Sequence, residues 1–236
     1  MKKFKFSFFE LLLIFAVTAI FAGVLIPVLQ AAQQAQEKAS CADQSRKLGA
    51  AFAAFAENND GYLPRTQLGA EEKINGQIVL WTYNMINKGF ISNENLICPD
   101  GFELLGDSWA KGKIRSLRSA KKNSDVFSYS FYGYNAIGAG GGYFGSKPVK
   151  LANISKIILT ADSWDGNNYK IARYIGSSVI ADKPTAGRGM VYPLHDGKAT
   201  VLWSDGSVSD EVGGDFPHEA WEHGVFAVKS NWKSVK

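Results

Sequence analysis

Phe6-Ser7-Phe8-Phe9-Glu10 opens an apolar run that continues from Leu11 to Leu29 without a charge, Thr18 being its one polar side chain. At about 1.5 Å per residue this run makes about 28 Å of helix, against a bilayer hydrocarbon core of roughly 30 Å. Lys2, Lys3 and Lys5 stand just before it, and basic residues on that side keep the N-terminus in the cytoplasm. The remainder then lies across the membrane. A cleavable secretory signal has the same basic-then-apolar order, but its apolar part is usually about 7–15 residues. Length therefore favours a retained single-pass anchor; a signal cut near Ala31-Ala32-Gln33 is the alternative.

Glu10 is the exception in this run. A carboxylate at the edge of a hydrocarbon span costs free energy unless it reaches the interface or finds a partner. One turn inside a helix start, the helix dipole favours it. Its spacing allows a second reading: in a chain beginning at Phe6, the terminal ammonium and Glu10 lie four residues apart on one helix face. The N-terminus of a neighbouring copy would then neutralise Glu10 inside the membrane.

Beyond the run, Val28 to Glu57 is rich in Ala, Gln, Glu and Lys, residues of high helix propensity. Cys41, Leu48, Phe52 and Phe55 fall on one helical stripe. The anchor is thus expected to continue as an amphipathic helix and to stop at Asn58-Asn59-Asp60-Gly61, with Pro64 just beyond. If continuous from Phe6 to Glu57, it would be about 78 Å long. Four segments follow: a basic leader 1–5, a transmembrane helix 6–29, its amphipathic continuation 30–57 and an exported head 58–236.

Composition supports a folded head, with 46% hydrophobic and 20% charged residues in 236. The formal net charge of +4 owes three charges to Lys2, Lys3 and Lys5. What is left gives no basic patch interleaved with aromatics, so nucleic acid is not an expected partner. The local run Lys111, Lys113, Arg115, Arg118, Lys121 and Lys122 reads as a solvated loop. Cys41 and Cys98 are the two cysteines. In an oxidising compartment an even pair reads as one disulfide, the alternative being two buried thiols.

In the head, Leu80–Ile86 reads as a short helix over the core. Phe127–Asn135 alternates aromatic with small or polar residues, a strand signal. Ile157–Ser163 reads as a buried strand, and Ala199–Trp203, Ser204-Asp205-Gly206 and Ser207–Ser209 as a hairpin. The Gly138–Gly145 loop lacks the following helix and acidic residue that a dinucleotide fingerprint needs.

The opening motif Phe6-Ser7-Phe8-Phe9-Glu10-Leu11-Leu12-Leu13 resembles the processing motif of type IV prepilins and type II secretion pseudopilins, usually Phe-Thr-Leu-Ile-Glu-Leu. His195, nine intervening residues and Asp205-Gly206 resemble the His-X9-Asp-Gly C-terminal motif of pilin-like exported proteins; Tyr132-Gly133-Tyr134-Asn135 and Asp162-Ser163 add to the likeness. The resemblance implies an α+β, pilin-like fold, a long N-terminal helix packed on a C-terminal antiparallel sheet. Phe6 would be the N-methylated first residue after cleavage by a prepilin peptidase, although Lys5 stands where the family pattern has Gly. Glu10 would set assembly register, and Pro27 stands where these proteins kink the helix. The Cys98-Pro99 pair, common at this point in the family, implies a Cys41–Cys98 bond.

These features imply a pseudopilin or minor pilin of a bacterial envelope secretion or fibre system. It would be held in the inner membrane, N-terminus cytoplasmic and head periplasmic or extracellular, with like or related pilin-type subunits as partners. The alternative is a solitary anchored binding module for polysaccharide or protein, with tryptophans such as Trp81 and Trp203 as stacking faces.

No cofactor is expected, save a calcium candidate at Asp162, Asp165 and Asn167, with Asn168 adjacent; these do not follow the EF-hand pattern. His195, Asp205 and Gly206 read as structural, fixing the hairpin. No enzyme is expected. The histidines of His218-Glu219-Ala220-Trp221-Glu222-His223 are spaced by five rather than the four a zinc-protease helix needs, and there is no Gly-x-Ser-x-Gly elbow.

Overall fold

The computed structural model describes residues 7–66, 80–99, 101, 112, 115–116, 119, 130–135, 139–140, 149–154, 156–164, 179–180, 190–191, 195 and 198–212. They form an α+β protein, with one long N-terminal helix and a C-terminal sheet whose main strands are antiparallel. The chain divides into two compact units, Met1–Ala39 and Ser40–Lys236.

Helix α1 is Phe8–Glu57 and includes Pro27. It is long and apolar enough to cross a membrane. In the first unit its side chains are almost wholly exposed, Phe9 at 80% and Phe15 at 67%. The buried stripe begins at Cys41, where the sequence places it, and comprises Cys41, Ser45, Leu48, Ala51, Phe52, Phe55 and Ala56. Spacings of four and three keep that stripe on one face. Ser45 belongs to it despite its hydroxyl, because position rather than polarity sets which residues the helix buries.

The helix ends as its sequence dictates. Asp60 and Gly61 both take positive φ, 54° and 82°, which reverses the chain. The Gly61 N–H then donates to the Ala56 carbonyl at 2.8 Å. The Asn58 and Asn59 side-chain amides donate to the Ala54 and Phe55 carbonyls, satisfying acceptors that a helix end leaves open.

Helix α2, Trp81–Asn87, turns Trp81, Thr82, Met85 and Ile86 inward. The strands are β1 (Tyr132–Asn135), β2 (Ile158–Trp164), β3 (Val179–Ile180), β4 (Met190–Val191), β5 (Lys198–Trp203) and β6 (Val208–Val212). Their order is β3-β1-β2-β5-β6, with β4 pairing β2. The pairs β1–β2, β2–β5 and β5–β6 are antiparallel, whereas β3 adds to β1 in parallel. Alternation along β1 sends Tyr132 and Tyr134 to one face. Phe52 stacks on Tyr134 at 5.2 Å and on Trp81 at 5.4 Å, joining α1, α2 and the sheet in one aromatic core. At Gly49, α1 lies close against β5: a Cβ there would lie 2.9 Å from Leu202 Cδ1.

Candidate functional site

The chemistry of the head collects around Cys98. The segment after the short 3-10 helix Asn93–Leu96 is tied to the sheet by the Phe131 N–H, which donates to the Leu96 carbonyl at 3.0 Å. Cys98 there forms a disulfide with Cys41 of α1, and both are fully buried. Such a bond closes a loop of sequence separation 57 and typically contributes about 2–4 kcal/mol.

His195 sits beside this bond. Its backbone exchanges two hydrogen bonds with Lys198, which fixes the imidazole just before β5 begins. Its Nε2 lies 3.5 Å from Cys98 Sγ and 3.4 Å from Asp162 Oδ2. The Gly101 N–H also donates to Cys98 Sγ, at 3.4 Å. Asp162 reaches the cluster from β2, where its Oδ2 accepts the Thr200 N–H of β5 at 2.6 Å. Its Oδ1 is buried without a hydrogen-bond partner among the described residues.

Burial of the Asp162 carboxyl pushes its pKa up from 3.8 to about 7, against the opposing pull of the His195 imidazole and the Thr200 N–H. Tyr132, opposite Asp162 on β1, is pushed well above its ordinary value by burial and by the Asp162 charge. Its hydroxyl lies 3.2 Å from Gln44 Oε1 and 3.5 Å from the Cys41 carbonyl.

The ligating atoms of Cys41, Cys98 and His195 lie within 4.8 Å of one another. By residue type they would suit zinc, but zinc needs thiolates, and both sulfurs are spent on the disulfide. Asp162 does not suit calcium either. Calcium takes six to eight oxygen ligands, whereas Asp162 is buried and engaged with β5 and His195. Asp165, Asn167 and Asn168 lie outside the described residues.

The parts of the His-X9-Asp-Gly motif are kept apart by β5. His195 is buried at its start; Asp205 and Gly206 form the β5–β6 turn at its end. Burial slightly disfavours the Asp205 charge, but hydrogen bonds from Lys156 and Ser207 prevail and hold its pKa at about 2. Lys156 bridges Asp205 and Ser207, and Gly206 has φ 79°, a conformation that favours glycine. The two parts of the motif therefore lie at different places, one at the disulfide and one at the turn.

At the helix start, Glu10 Oε2 accepts the Ser7 N–H at 2.7 Å while Ser7 Oγ accepts the Phe9 N–H at 3.2 Å. Ser7-x-x-Glu10 thus supplies the glutamate half of a capping box, Ser7 Oγ capping the N2 rather than the N3 N–H, and Glu10 has a partner within its own chain. The Ser-x-x-Glu spacing of three ahead of an apolar run is the sequence signal for this cap. Pro27 is exposed inside α1. Lys5, Phe6, most of the basic run 111–122 and His218–His223 lie outside the described residues; Arg115 is exposed. Trp81 and Trp203 are core residues, not surface stacking faces. A groove of 560 Å³ is lined by Asn58, Asn59, Tyr62, Arg65, Asn84 and Lys88, among others.

No family model, curated protein or solved structure matches the chain.

Proposed function

We propose that the chain is a membrane-anchored, pilin-like subunit, a pseudopilin or minor pilin of a bacterial envelope secretion or fibre assembly. One observation carries the reading: α1 presents exposed apolar side chains from Phe8 to Leu29 and then, in the same helix, a stripe buried in an α+β head. An apolar surface that long needs lipid or neighbouring helices around it. A buried disulfide within the head fits an exported, oxidising location. The N-terminus stays cytoplasmic in the inner membrane, and the head lies on the far side.

In this reading Phe6 is the first residue after a prepilin peptidase acts, and Glu10 sets register by pairing with a neighbour's terminal ammonium. The helix cap and that pairing are compatible, since a carboxylate accepts more than one hydrogen bond. A buried ion pair of this kind specifies register even where its net stabilisation is small.

The primary test is the intact mass and N-terminal sequence of the protein from producing-cell membranes. A methylated Phe6 start supports processing and assembly. A Met1 start leaves a permanent anchor without the Phe6 ammonium, and a start near Gln33 overturns the anchor. In cells, Glu10→Ala is expected to leave the subunit membrane-bound while removing most cross-linked oligomers; an unchanged ladder of oligomers would refute the register role.

A second reading, an anchored module that binds polysaccharide, draws on the groove beside the end of α1. The half-exposed Tyr62 ring and the Asn84 and Arg65 side chains in its lining are groups that suit pyranose faces and sugar hydroxyls. The Asn58 and Asn59 amides are engaged at the helix end. Monomeric extraction together with glycan binding that Tyr62→Ala abolishes would favour it.

A further inference from the structure

The two sulfurs of the buried disulfide have unequal surroundings. Cys98 Sγ receives the Gly101 N–H at 3.4 Å and faces His195 Nε2 at 3.5 Å. Cys41 opens the buried stripe of α1, with Cys98 as its sulfur partner. N–H donors and an adjacent imidazole stabilise a thiolate, whereas apolar burial disfavours one. The groups around Cys98 are also held without help from α1. The Phe131–Leu96 bond places the Cys98 segment, the Lys198 bonds place His195, and the Thr200 bond places Asp162.

We propose that His195 is the acid/base group of the Cys41–Cys98 bond, with Cys98 as the thiolate that closes it and the sulfur that leaves when it opens. Asp162 Oδ2, 3.4 Å from His195 Nε2, is the group that accepts the Nε2–H once the proton has moved and so stabilises the imidazolium. The oxidant is a disulfide donor, either a thiol–disulfide oxidoreductase or a small aliphatic disulfide. It first exchanges with the Cys41 thiol to give a mixed disulfide, releasing one equivalent of thiol.

His195 Nε2 then takes the Cys98 proton, and the Cys98 thiolate attacks Cys41 Sγ. The bond from Cys41 to the donor breaks, its electron pair leaves on the donor's sulfur, and the imidazolium returns the proton to that sulfur. The net change is two protein thiols and one donor disulfide giving one protein disulfide and two donor thiols. Opening by a thiol reductant runs the same steps backwards, with His195 protonating the departing Cys98.

Among the described residues, the ionisable groups around this centre are Asp162 from β2, Tyr132 from β1 and Cys41 from α1, with Asp210 of β6 acting on Asp162. Tyr132 stays neutral across the relevant range because burial raises it. Deprotonated Asp162 favours the imidazolium that forms as Cys98 ionises, and so assists the transfer.

The test uses the full-length chain in detergent. In Cys41→Ser, the ultraviolet absorbance of the thiolate should show Cys98 ionising at least one pH unit below the ~8.5 of an ordinary thiol; in Cys98→Ser, Cys41 should ionise above it. Adding His195→Gln to Cys41→Ser should raise the Cys98 value by about one unit, a tenfold loss of thiolate near neutrality. Two cysteines that titrate alike, or a Cys98 indifferent to His195→Gln, would overturn the proposal.

Should a single-cysteine chain misfold, the reduced wild-type and His195→Gln chains keep both cysteines. Closure by a small aliphatic disulfide near neutral pH is expected to be about tenfold slower in the variant, the gap narrowing as alkaline pH ionises the thiol unaided. Equal rates at every pH would likewise overturn it.

Discussion

Between Phe8 and Leu29, α1 leaves its large apolar side chains in the open; between Cys41 and Ala56 it hides one stripe and exposes the rest. Both stretches are α-helix, Pro27 alone withholding a backbone donor from the first. What differs is the surroundings each composition demands. A helix that is apolar all round is stable only among other apolar groups, in lipid or between helices. A striped helix needs a core on one side and water on the other.

The largest contrast concerns phenylalanine. Phe52 is fully buried and stacks on Trp81 and Tyr134, so Phe52→Ala removes a core side chain and is expected to cost the head about 3–5 kcal/mol. Phe15→Ala, at a position 67% exposed, should leave head stability unchanged and weaken only membrane retention. Denaturant unfolding in detergent, read by the fluorescence of the buried tryptophans, measures the first; carbonate extraction of membranes measures the second. A drop in head stability from Phe15→Ala would erase the distinction between the two stretches.

The next contrast is in response to pH. No titratable side chain lies between Leu11 and Leu29, so membrane retention should be flat from pH 4 to pH 8. The head should not be flat. Folding raises the Asp162 pKa from 3.8 to about 7, so its contribution is complete below about pH 4 and is lost as pH rises through about 7. A shift of that size corresponds to a loss of about 4 kcal/mol, the opposing pull of His195 being already contained in it. Asp205 has the opposite sign: its lowered pKa of about 2 gives stability that is lost only in stronger acid, outside this window. Asp162→Asn, with similar shape and no charge, should flatten the head's unfolding midpoint between pH 4 and pH 8; an unaltered slope would assign the pH response elsewhere.

Legibility follows the range of the interactions. Local patterns carried α1 and its stop at Asn58–Gly61, α2, β2 and the Asp205-Gly206 hairpin, because propensity, periodicity and turn chemistry act over a few residues. The helix cap is equally local and is written in Ser7 and Glu10. Strands β3 and β4 have two residues each, too short to show alternation, and the parallel pairing of β3 with β1 leaves no local trace. Cys98, Asp162 and His195 come together through the pairing of β2 with β5 and the docking of the Cys98 segment on β1, which no spacing along the chain encodes. The His-X9-Asp-Gly pattern pointed to His195 but linked it to Asp205, the far end of the same strand, rather than to Asp162 on the strand beside it.

The smallest contrast is between two glycines of α1. Nothing lies within 4 Å of a Cβ built on Gly23, whereas one on Gly49 would meet Leu202 Cδ1 at 2.9 Å. In each case alanine returns about 1 kcal/mol of helix propensity. At Gly49 the buried Leu202 must also move, and overpacking of a core typically costs ~1–3 kcal/mol. Gly49→Ala is therefore expected to destabilise the head by about 1 kcal/mol net, seen as a lower urea midpoint at constant slope, while Gly23→Ala leaves that midpoint where it was. A rise in midpoint for Gly49→Ala would mean that α1 and β5 stand further apart than Leu202 allows, and that the glycine serves some purpose other than their contact. The same substitution in one helix thus tests directly whether a given turn faces protein or its surroundings.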